Sequence, residues 1–574
     1  MPQTTYLSPG VYVEEIPSAI QPIAGVGTST AGFIGVVPNE ITIPIAAGIK
    51  RTNIEIGQGN GNDTTFDLPD QLVSKTKGTF QFKVNNVVKP AEIQDKPDSD
   101  GVVQVKFAQA PAANATIIGN YILLAFQVKN ELIGTGKNKT DDSPEDTFSL
   151  KQYPSNKPDL SNKTDTNTFK FRINGSTQLN NTSIQATFEA DTQDANGNPI
   201  AQVKFAPPPP QGSIITGDYQ AKHPTFKVVP VGEVKLCTNF SEFKKFFGDF
   251  STDPGQNTLA QAVYGFFNNG GTRCYVIRVD EPSKITADFL KEKFEPIDEI
   301  AIVAAPGITD NAITSAITIH CQQATQDRFA IFDSREELGD LSLLDPQAGD
   351  NNILPDFSNY AGYYFPWIQI LDPAAKTLNP EGDGRIYVPP SGHVAGIYAR
   401  VDNTRGVFKA PANEVVLGAL GLKQKISKAQ QAGLNPQGVN CIRDLNGSIR
   451  VWGARTLGGD ANGEYKYINV RRTMLFLRES IDQGTQWAVF EPNDTKLWSK
   501  IILNVTAFLT IVWRNGALFG TTPQEAFYVK CDEETNPPEV RELGQVITEI
   551  GVAIVRPAEF VIFRISQWTG PSNQ

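Results

Sequence analysis

Between residues 49 and 222 the chain writes one β pattern twice, and an internal repeat set inside a longer sequence limits the possible folds more than any bulk property does. Ile56-Gly57 followed by Thr65-Phe66-Asp67-Leu68 returns as Ile133-Gly134 followed by Thr147-Phe148-Ser149-Leu150. Phe82-Lys83-Val84-Asn85 returns as Phe171-Arg172-Ile173-Asn174, and Gln104-Val105-Lys106-Phe107-Ala108 as Gln202-Val203-Lys204-Phe205-Ala206. The offset grows from 77 residues (56 to 133) to 98 (104 to 202), so the second copy has longer loops. Loop growth is cheap because closure entropy rises only logarithmically with length. Alternating strands bounded by Asn, Asp and Gly turns, over about 80 to 90 residues per copy, predict two tandem β-sandwiches at 49–128 and 129–222. The run from Gly57 to Asp63 is read as a turn. No strand-to-helix crossover follows it, as a phosphate cradle requires, and no nonapeptide series supports calcium binding.

Outside this insertion the texture is mixed α/β. Leu259, Ala262, Val263, Phe266 and Phe267 follow a helical period that stops at Gly270-Gly271. Residues 300–305, a helix from 311 to about 326 capped by Asp310, and residues 328–332 read as a β-α-β unit. Its crossover loop, Pro306-Gly307-Ile308-Thr309-Asp310, has neither dinucleotide nor P-loop glycines, so no cofactor is expected. The catalytic suspects are weak. His320 and Cys321 are helix neighbours pointing about 100° apart, and Ser391 and His393 lie in Pro389-Pro390-Ser391-Gly392-His393 without a nucleophile elbow, a segment read as a loop. With three histidines in 574 residues, no catalytic constellation and no metal site are expected.

Charge and cysteine usage narrow the partners. A net charge of −11 repels a phosphate backbone, which argues against a nucleic-acid partner. Cys237, Cys274, Cys321, Cys441 and Cys531 are far apart with no C-x-x-C pair, predicting neither zinc ribbon nor disulfide framework and fitting synthesis in a reducing cytoplasm. The opening residues carry no signal-peptide pattern, and the apolar stretch near 501–513 is interrupted by Asn504, Thr506 and Thr510, so direct membrane insertion is not expected. Along residues 494–514, Leu497, Ile501, Val505, Phe508 and Val512 describe a core helix; Lys496, Lys500 and Arg514 fall on its exposed side, as solvated charges or as partner contacts.

Both ends are β-prone. Residues 552–556 and 560–568 are separated by Pro557-Ala558-Glu559, and a terminal strand as apolar as Phe560-Val561-Ile562-Phe563 needs a sheet to join. Residues 7–17 form a second short β segment closed by prolines. Two readings stand: strands donated to neighbouring chains by β-augmentation, or ordinary edge strands within one chain.

Four stretches resemble the tail sheath proteins of contractile phages, R-type bacteriocins and contractile injection systems. They are Ser8-Pro9-Gly10-Val11-Tyr12-Val13-Glu14-Glu15 with Thr30-Ala31-Gly32-Phe33-Ile34-Gly35; Val231-Gly232-Glu233-Val234 with Phe240-Ser241-Glu242-Phe243 and Phe247-Gly248; residues 389–400 with Gly406-Val407; and Val451-Trp452-Gly453-Ala454-Arg455-Thr456-Leu457 through Pro557-Ala558-Glu559-Phe560-Val561. The resemblance implies a helical homopolymer around an inner tube, with baseplate and terminal cap proteins as further partners, assembled in a bacterial cytoplasm as part of a phage or phage-tail-like particle. It implies donated strands carrying Val11, Tyr12, Val13 and Ile16 at one end and Phe560, Val561, Ile562, Phe563 and Ile565 at the other, with Lys496, Lys500 and Arg514 as tube-facing candidates. The division expected is an N-terminal arm (1–30), a first body domain (31–48 and 223–400) split by the insertion, a C-terminal domain (401–556) and a C-terminal arm (557–574). The alternatives are a non-contractile baseplate, tube or adhesin component, and an enzyme on the α/β body.

Overall fold

The computed structural model describes residues 22–43, 49–68, 73, 75, 80–95, 103–123, 125–135, 147–149, 169–174, 178–179, 182–183, 185–193, 199–222, 225–344 and 352–565. The chain is mixed α/β, and its centre is a nine-stranded sheet. The strands run in the order Lys235–Cys237, Cys274–Val279, Ala31–Val36, Ile302–Ala304, Phe329–Asp333, Ala361–Phe365, Val439–Leu445, Ser448–Val451, Glu414–Val415. From Cys274–Val279 to Val439–Leu445 every pairing is parallel, and both margins are antiparallel. Ile302–Ala304, Phe329–Asp333 and Ala361–Phe365 are buried at every position, as expected of parallel strands covered on both faces.

The period-2 alternation then divides the side chains between two cores. Phe33, Ile302, Ala304, Phe329, Ile331 and Tyr364 point into one. Ile34, Val303, Ala330, Phe332, Tyr363 and Phe365 point into the other. The first core is roofed by the helices Pro254–Asn268 and Ser391–Arg405, which approach closely because three glycines permit it. A Cβ on Gly392 would stand 2.3 Å from the Ala262 carbonyl oxygen, one on Gly396 2.4 Å from that of Phe266, and one on Gly265 2.4 Å from the His393 ring. The expected β-α-β unit is present: Asp310 Oδ1 accepts from the Ala312 amide at 2.8 Å, and the helix Asn311–Ile319 continues as a π-helical turn, His320–Thr325.

The repeated segment forms two pairs of small antiparallel sheets whose registers coincide. In the first copy Thr65, Phe66 and Asp67 face Lys106, Val105 and Gln104; in the second Thr147, Phe148 and Ser149 face Lys204, Val203 and Gln202. Phe82 faces Gly119 and Phe171 faces Gly217. Each copy has a register shift at its repeated Ile-Gly, before Gly57 and before Gly134. Asn85 and Asn174 take the same left-handed turn, with φ of 48° and 51°. Their side chains cap the backbone amides of Thr116 and Ile214 at 2.9 and 2.8 Å. Between the sheets of the first copy, Phe82, Val105, Phe107, Ile117 and Tyr121 form a separate apolar cluster. In the second, Phe171 packs edge-on against Phe205 at 5.4 Å.

This segment leaves and rejoins the body through a short ribbon, Glu40–Thr42 paired with Thr225–Lys227. Arg278, 1% exposed, stitches the junction: its Nη1 donates to the Val37 carbonyl at 2.8 Å and its Nη2 to Asn39 Oδ1 at 2.7 Å, while its Nε donates to the Val229 carbonyl.

A third core gathers the end of the chain. The helix Thr495–Arg514 buries Leu497, Trp498, Ile501, Val505, Phe508, Leu509 and Val512 against Leu477, Ala526, Phe527 and Ile23. By length and hydropathy it is the one helix among the described residues able to cross a membrane. Its apolar face is instead packed on the chain's own core, as the core-helix expectation had it.

Candidate subunit interface

The suspected catalytic residues are occupied by packing. Residues 391–393 are not the expected loop, because Pro390 caps the helix Ser391–Arg405 and its fixed φ suits a helix start. Asp333 at the end of its strand accepts from the Ser391 amide (2.8 Å), the Ser391 hydroxyl (2.6 Å) and the Gly307 amide (3.1 Å). These bonds hold a helix start and a loop to the sheet. Burial, resisted by those bonds, raises the Asp333 carboxyl to about 6. His393 lies against Gly265, and burial lowers it to about 4. His320 is lowered to about 4 by burial and then by Arg328, whose Nη1 donates to its Nε2 at 3.0 Å. Arg328 in turn donates to the carbonyls of Phe294 and Ile297. Among the described residues no three His, Cys, Asp or Glu side chains are placed to hold a metal ion.

The other end of the chain presents a different arrangement. After Ala553 the chain crosses the body, and at Glu559 it is held by three separate elements. Arg455 Nε and Nη2 each donate to the carboxylate at 2.8 Å in a bidentate fork. Asn435 Nδ2 donates at 2.7 Å and Tyr467 OH at 2.9 Å. Arg455 is 4% exposed and also donates to the Asn435 carbonyl and to Asp460, both at 3.1 Å. Burial opposes charge on Glu559, but the hydrogen bonds from Arg455, Asn435 and Tyr467 outweigh it, leaving the carboxyl below its ordinary range. Burial likewise opposes charge on Arg455, and the bond to Glu559 with the neighbouring carboxylates raises it. A planar bidentate pair with every remaining lone pair satisfied is the geometry in which a largely desolvated ion pair is worth keeping.

Immediately beyond this clamp the chain leaves the surface. Phe560, Val561, Ile562, Phe563 and Ile565 are 69 to 94% exposed, and 560–565 belong to no strand. A run of apolar side chains left in water forgoes roughly 1.5–3 kcal/mol per residue of available burial. On the same unit, Phe527–Lys530 pairs with Glu549–Val552 in a two-stranded ladder, with no further strand on either side among the described residues. Such a pair is short of the three strands that make a sheet stable alone.

The chain's beginning is rooted in the same place. Ile23 belongs to the C-terminal core. Ser480 Oγ accepts from the Val26 amide at 3.1 Å, and Thr28 Oγ1 donates to Asp402 at 2.7 Å. Asp402 also forms a buried pair with Arg472, which reaches the Thr28 carbonyl at 2.8 Å. Val11, Tyr12, Val13 and Ile16 lie outside the described residues. Lys496, Lys500 and Arg514 are exposed along one face of the helix Thr495–Arg514, with Leu503 and Ile511 between them. Sequence reasoning singled out Pro557-Ala558-Glu559 and Arg455 separately and missed that they form one clamp. No local signal pairs them, because the two residues lie 104 positions apart.

Comparison with known proteins accounts for this layout. Residues 286–457 match the phage tail sheath protein central domain, and residues 460–567 the phage tail sheath C-terminal domain. The tail sheath protein of Burkholderia phage BcepMu is 27% identical over 203 residues, 34% of this chain and 40% of that protein. That of Vibrio phage KVP40 is 26% identical over 185 residues, 32% of this chain and 26% of that protein. The matched stretches therefore span less than half of either relative. Among solved structures, the sheath complex of PVC, an extracellular contractile injection system, in its contracted state is 27% identical, with a TM-score of 0.50 over 59% of this chain and 88% of that one. A chain of the anti-feeding prophage baseplate is 28% identical, with a TM-score of 0.50 over 59% and 89%. Two tail sheath domain models matched in order over residues 286–457 and 460–567, and a likeness to the contracted sheath-complex chain over 88% of its length, support placing this chain with the contractile tail sheath proteins.

Proposed function

We propose that this chain is the repeating subunit of a contractile sheath, polymerising helically around an inner tube in a phage or phage-tail-like particle, and a structural protein with no catalytic role. The observation that carries the reading is the exposed apolar run 560–565 issuing from the Glu559 clamp beside an open-edged two-stranded ladder. Phe560, Val561, Ile562, Phe563 and Ile565 are the donor, Phe527–Lys530 and Glu549–Val552 of a neighbouring copy the acceptor, and Val11, Tyr12, Val13 and Ile16 the second donor on its other edge. Each net hydrogen bond contributes only about 1 kcal/mol, but several per arm, repeated along a polymer, hold a lattice while rigid bodies rotate. Contraction then draws on larger body-to-body contacts, of order 1,000 Å² or more each, and needs no nucleotide.

The tube-facing candidates are Lys496, Lys500 and Arg514, and baseplate association follows by analogy with the anti-feeding prophage baseplate chain. The duplicated units are two tandem β-sandwiches inserted at 49–222 and displayed on the outside. The division proposed is a first body domain at 31–48 and 223–400, a C-terminal domain at 401–556 and an arm from 557, with the strands Glu414–Val415, Val439–Leu445 and Ser448–Val451 carrying the central sheet across that boundary.

Expression of the chain alone, imaged by negative-stain electron microscopy at several concentrations, tests this reading. Hollow striated cylinders are expected. Dispersed monomers or small closed rings at all concentrations would move the weight to a non-contractile baseplate or adhesin role.

A further inference from the structure

The five cysteines are separated in sequence, but folding makes two of them neighbours. Lys235–Cys237 and Cys274–Val279 are antiparallel, and their register sets Cys237 directly opposite Cys274. Antiparallel partners stand about 4.5–5.5 Å apart at Cα, inside the roughly 4.4–6.8 Å that a disulfide bridges. Both side chains are fully buried in one apolar cluster, so they point to the same face of the sheet. Ionisation of Cys274 is opposed first by burial and next by charge on Cys237, which places the two thiols within electrostatic reach. Cys321, Cys441 and Cys531 are also free thiols, but no two of them face each other across a ladder.

Position supplies a route to the pair. Lys235–Cys237 is three residues long and forms the outer edge of the nine-stranded sheet, bonded on one side only. Short edge strands open locally at far lower cost than a domain unfolds. In the closed fold, burial and then the Glu242 charge push the Cys237 thiol up to about 12, so the pair stays reduced until the edge opens.

We propose that Cys237 and Cys274 are a latent cross-strand disulfide site, oxidised by a small-molecule disulfide of the glutathione class when the protein meets an oxidising medium. The Cys237 thiolate attacks one sulfur of the small disulfide, forming a mixed disulfide and expelling one small thiolate. The Cys274 thiolate then attacks the Cys237 sulfur and expels the second. One S–S bond is exchanged for another, both thiol protons end on the two released small thiols, and the two electrons reduce the oxidant. The bond ties the sheet's edge strand down just before the helix Phe240–Phe247, whose Phe243 and Phe247 complete the same core.

The test incubates the purified full chain with oxidised glutathione, then denatures it, alkylates the free thiols and maps tryptic peptides. A disulfide between the peptides 236–244 and 274–278 is expected, with Cys321, Cys441 and Cys531 alkylated. The oxidised protein should also unfold at higher urea than the reduced form, and Cys237→Ser and Cys274→Ser should each remove both the link and the shift. Five alkylated cysteines after prolonged oxidation, a stable glutathione adduct on either residue, or a link to a third cysteine would overturn the assignment.

Discussion

The central sheet and the C-terminal arm are both rich in β-branched and aromatic residues, yet they stand in opposite relations to water. In the sheet, Phe329–Asp333 and Ala361–Phe365 are buried from end to end and covered on both faces. In the arm, Phe560 to Ile565 are bare, and the polar residue before them is the one that is held. A local sequence therefore shows that a segment wants a sheet, but not whether its own chain supplies one. The sheet ought to report its damage as lost stability and the arm as lost association, and five substitutions or deletions probe that division.

The largest effect on folding is expected at Gly392, where a methyl group would meet the Ala262 carbonyl at 2.3 Å. Backbone cannot give way as a side-chain tip does, so the two roofing helices must separate. Gly392→Ala should cost about 3 kcal/mol, at the upper end of the overpacking range. That lowers the thermal midpoint of the body by about 6–12 °C at 2–4 °C per kcal/mol. A midpoint within 2 °C or so of the parent would mean that the helices are less tightly apposed than the structure places them.

The arm should behave in the opposite way. Deleting residues 560–574 leaves the Glu559 clamp, and the described residues it removes, 560–565, are ones the body does not bury. Its melting curve and circular dichroism should match the parent's, while sedimentation shows no polymer. Deleting 557–574 should also destabilise the body, because Arg455 is then left with only the exposed Asp460 as counter-ion. Full-length polymers from either truncation would refute donation by this arm.

Excising residues 49–222 and closing Glu40–Thr42 onto Thr225–Lys227 with a short turn should change the body's midpoint little. The first inserted unit has its own cluster around Phe82 and Phe107, and among the described residues the insertion meets the body through the ribbon and an exposed Lys50–Glu381 ion pair at 3.7 Å. Assembly should persist if the insertion faces outward. A folded but monomeric product would make the insertion part of the lattice.

How much of this was legible beforehand follows from which interactions are local. The duplication, the two helical stripes, the Asp310 cap and the β-α-β unit rest on period and on neighbours in sequence, and those appear in the structure. The repeat was legible in finer detail than expected, since Ile56-Gly57 and Ile133-Gly134 mark the same register shift in each copy. Ser391 was misread because a proline pair looks like a loop until its second member is seen to cap a helix. The pairing of Cys237 with Cys274 lies in tertiary register, which the period alone does not fix, whereas Val439–Leu445 and Ser448–Val451 are a local hairpin whose register is set by the turn Asn446-Gly447. The Glu559 clamp joins residues 104 positions apart through a fork that needs both partners in place. No window of sequence contains it.

The clamp offers the finest probe, because its effect should be confined to one joint. The folded carboxyl of Glu559 sits below the ordinary glutamate value of about 4.3. Its ionised form is therefore the one the fold favours. The contribution is complete above that ordinary value and is lost as the pH falls through the lower folded one. Limited proteolysis of the arm, followed by mass, should stay slow down to about pH 4.5 and quicken below it. Glu559→Gln keeps a carbonyl oxygen for Asn435 or Tyr467 but gives up the ionic fork, at a cost of about 2 kcal/mol for a charged hydrogen-bond network. The variant should be cut more than tenfold faster at neutral pH, with a flat profile through the acid range and an unchanged body melt. A cleavage rate equal to the parent's would show that the arm is held by its apolar residues instead, and the contrast between a held root and a free strand would fail there.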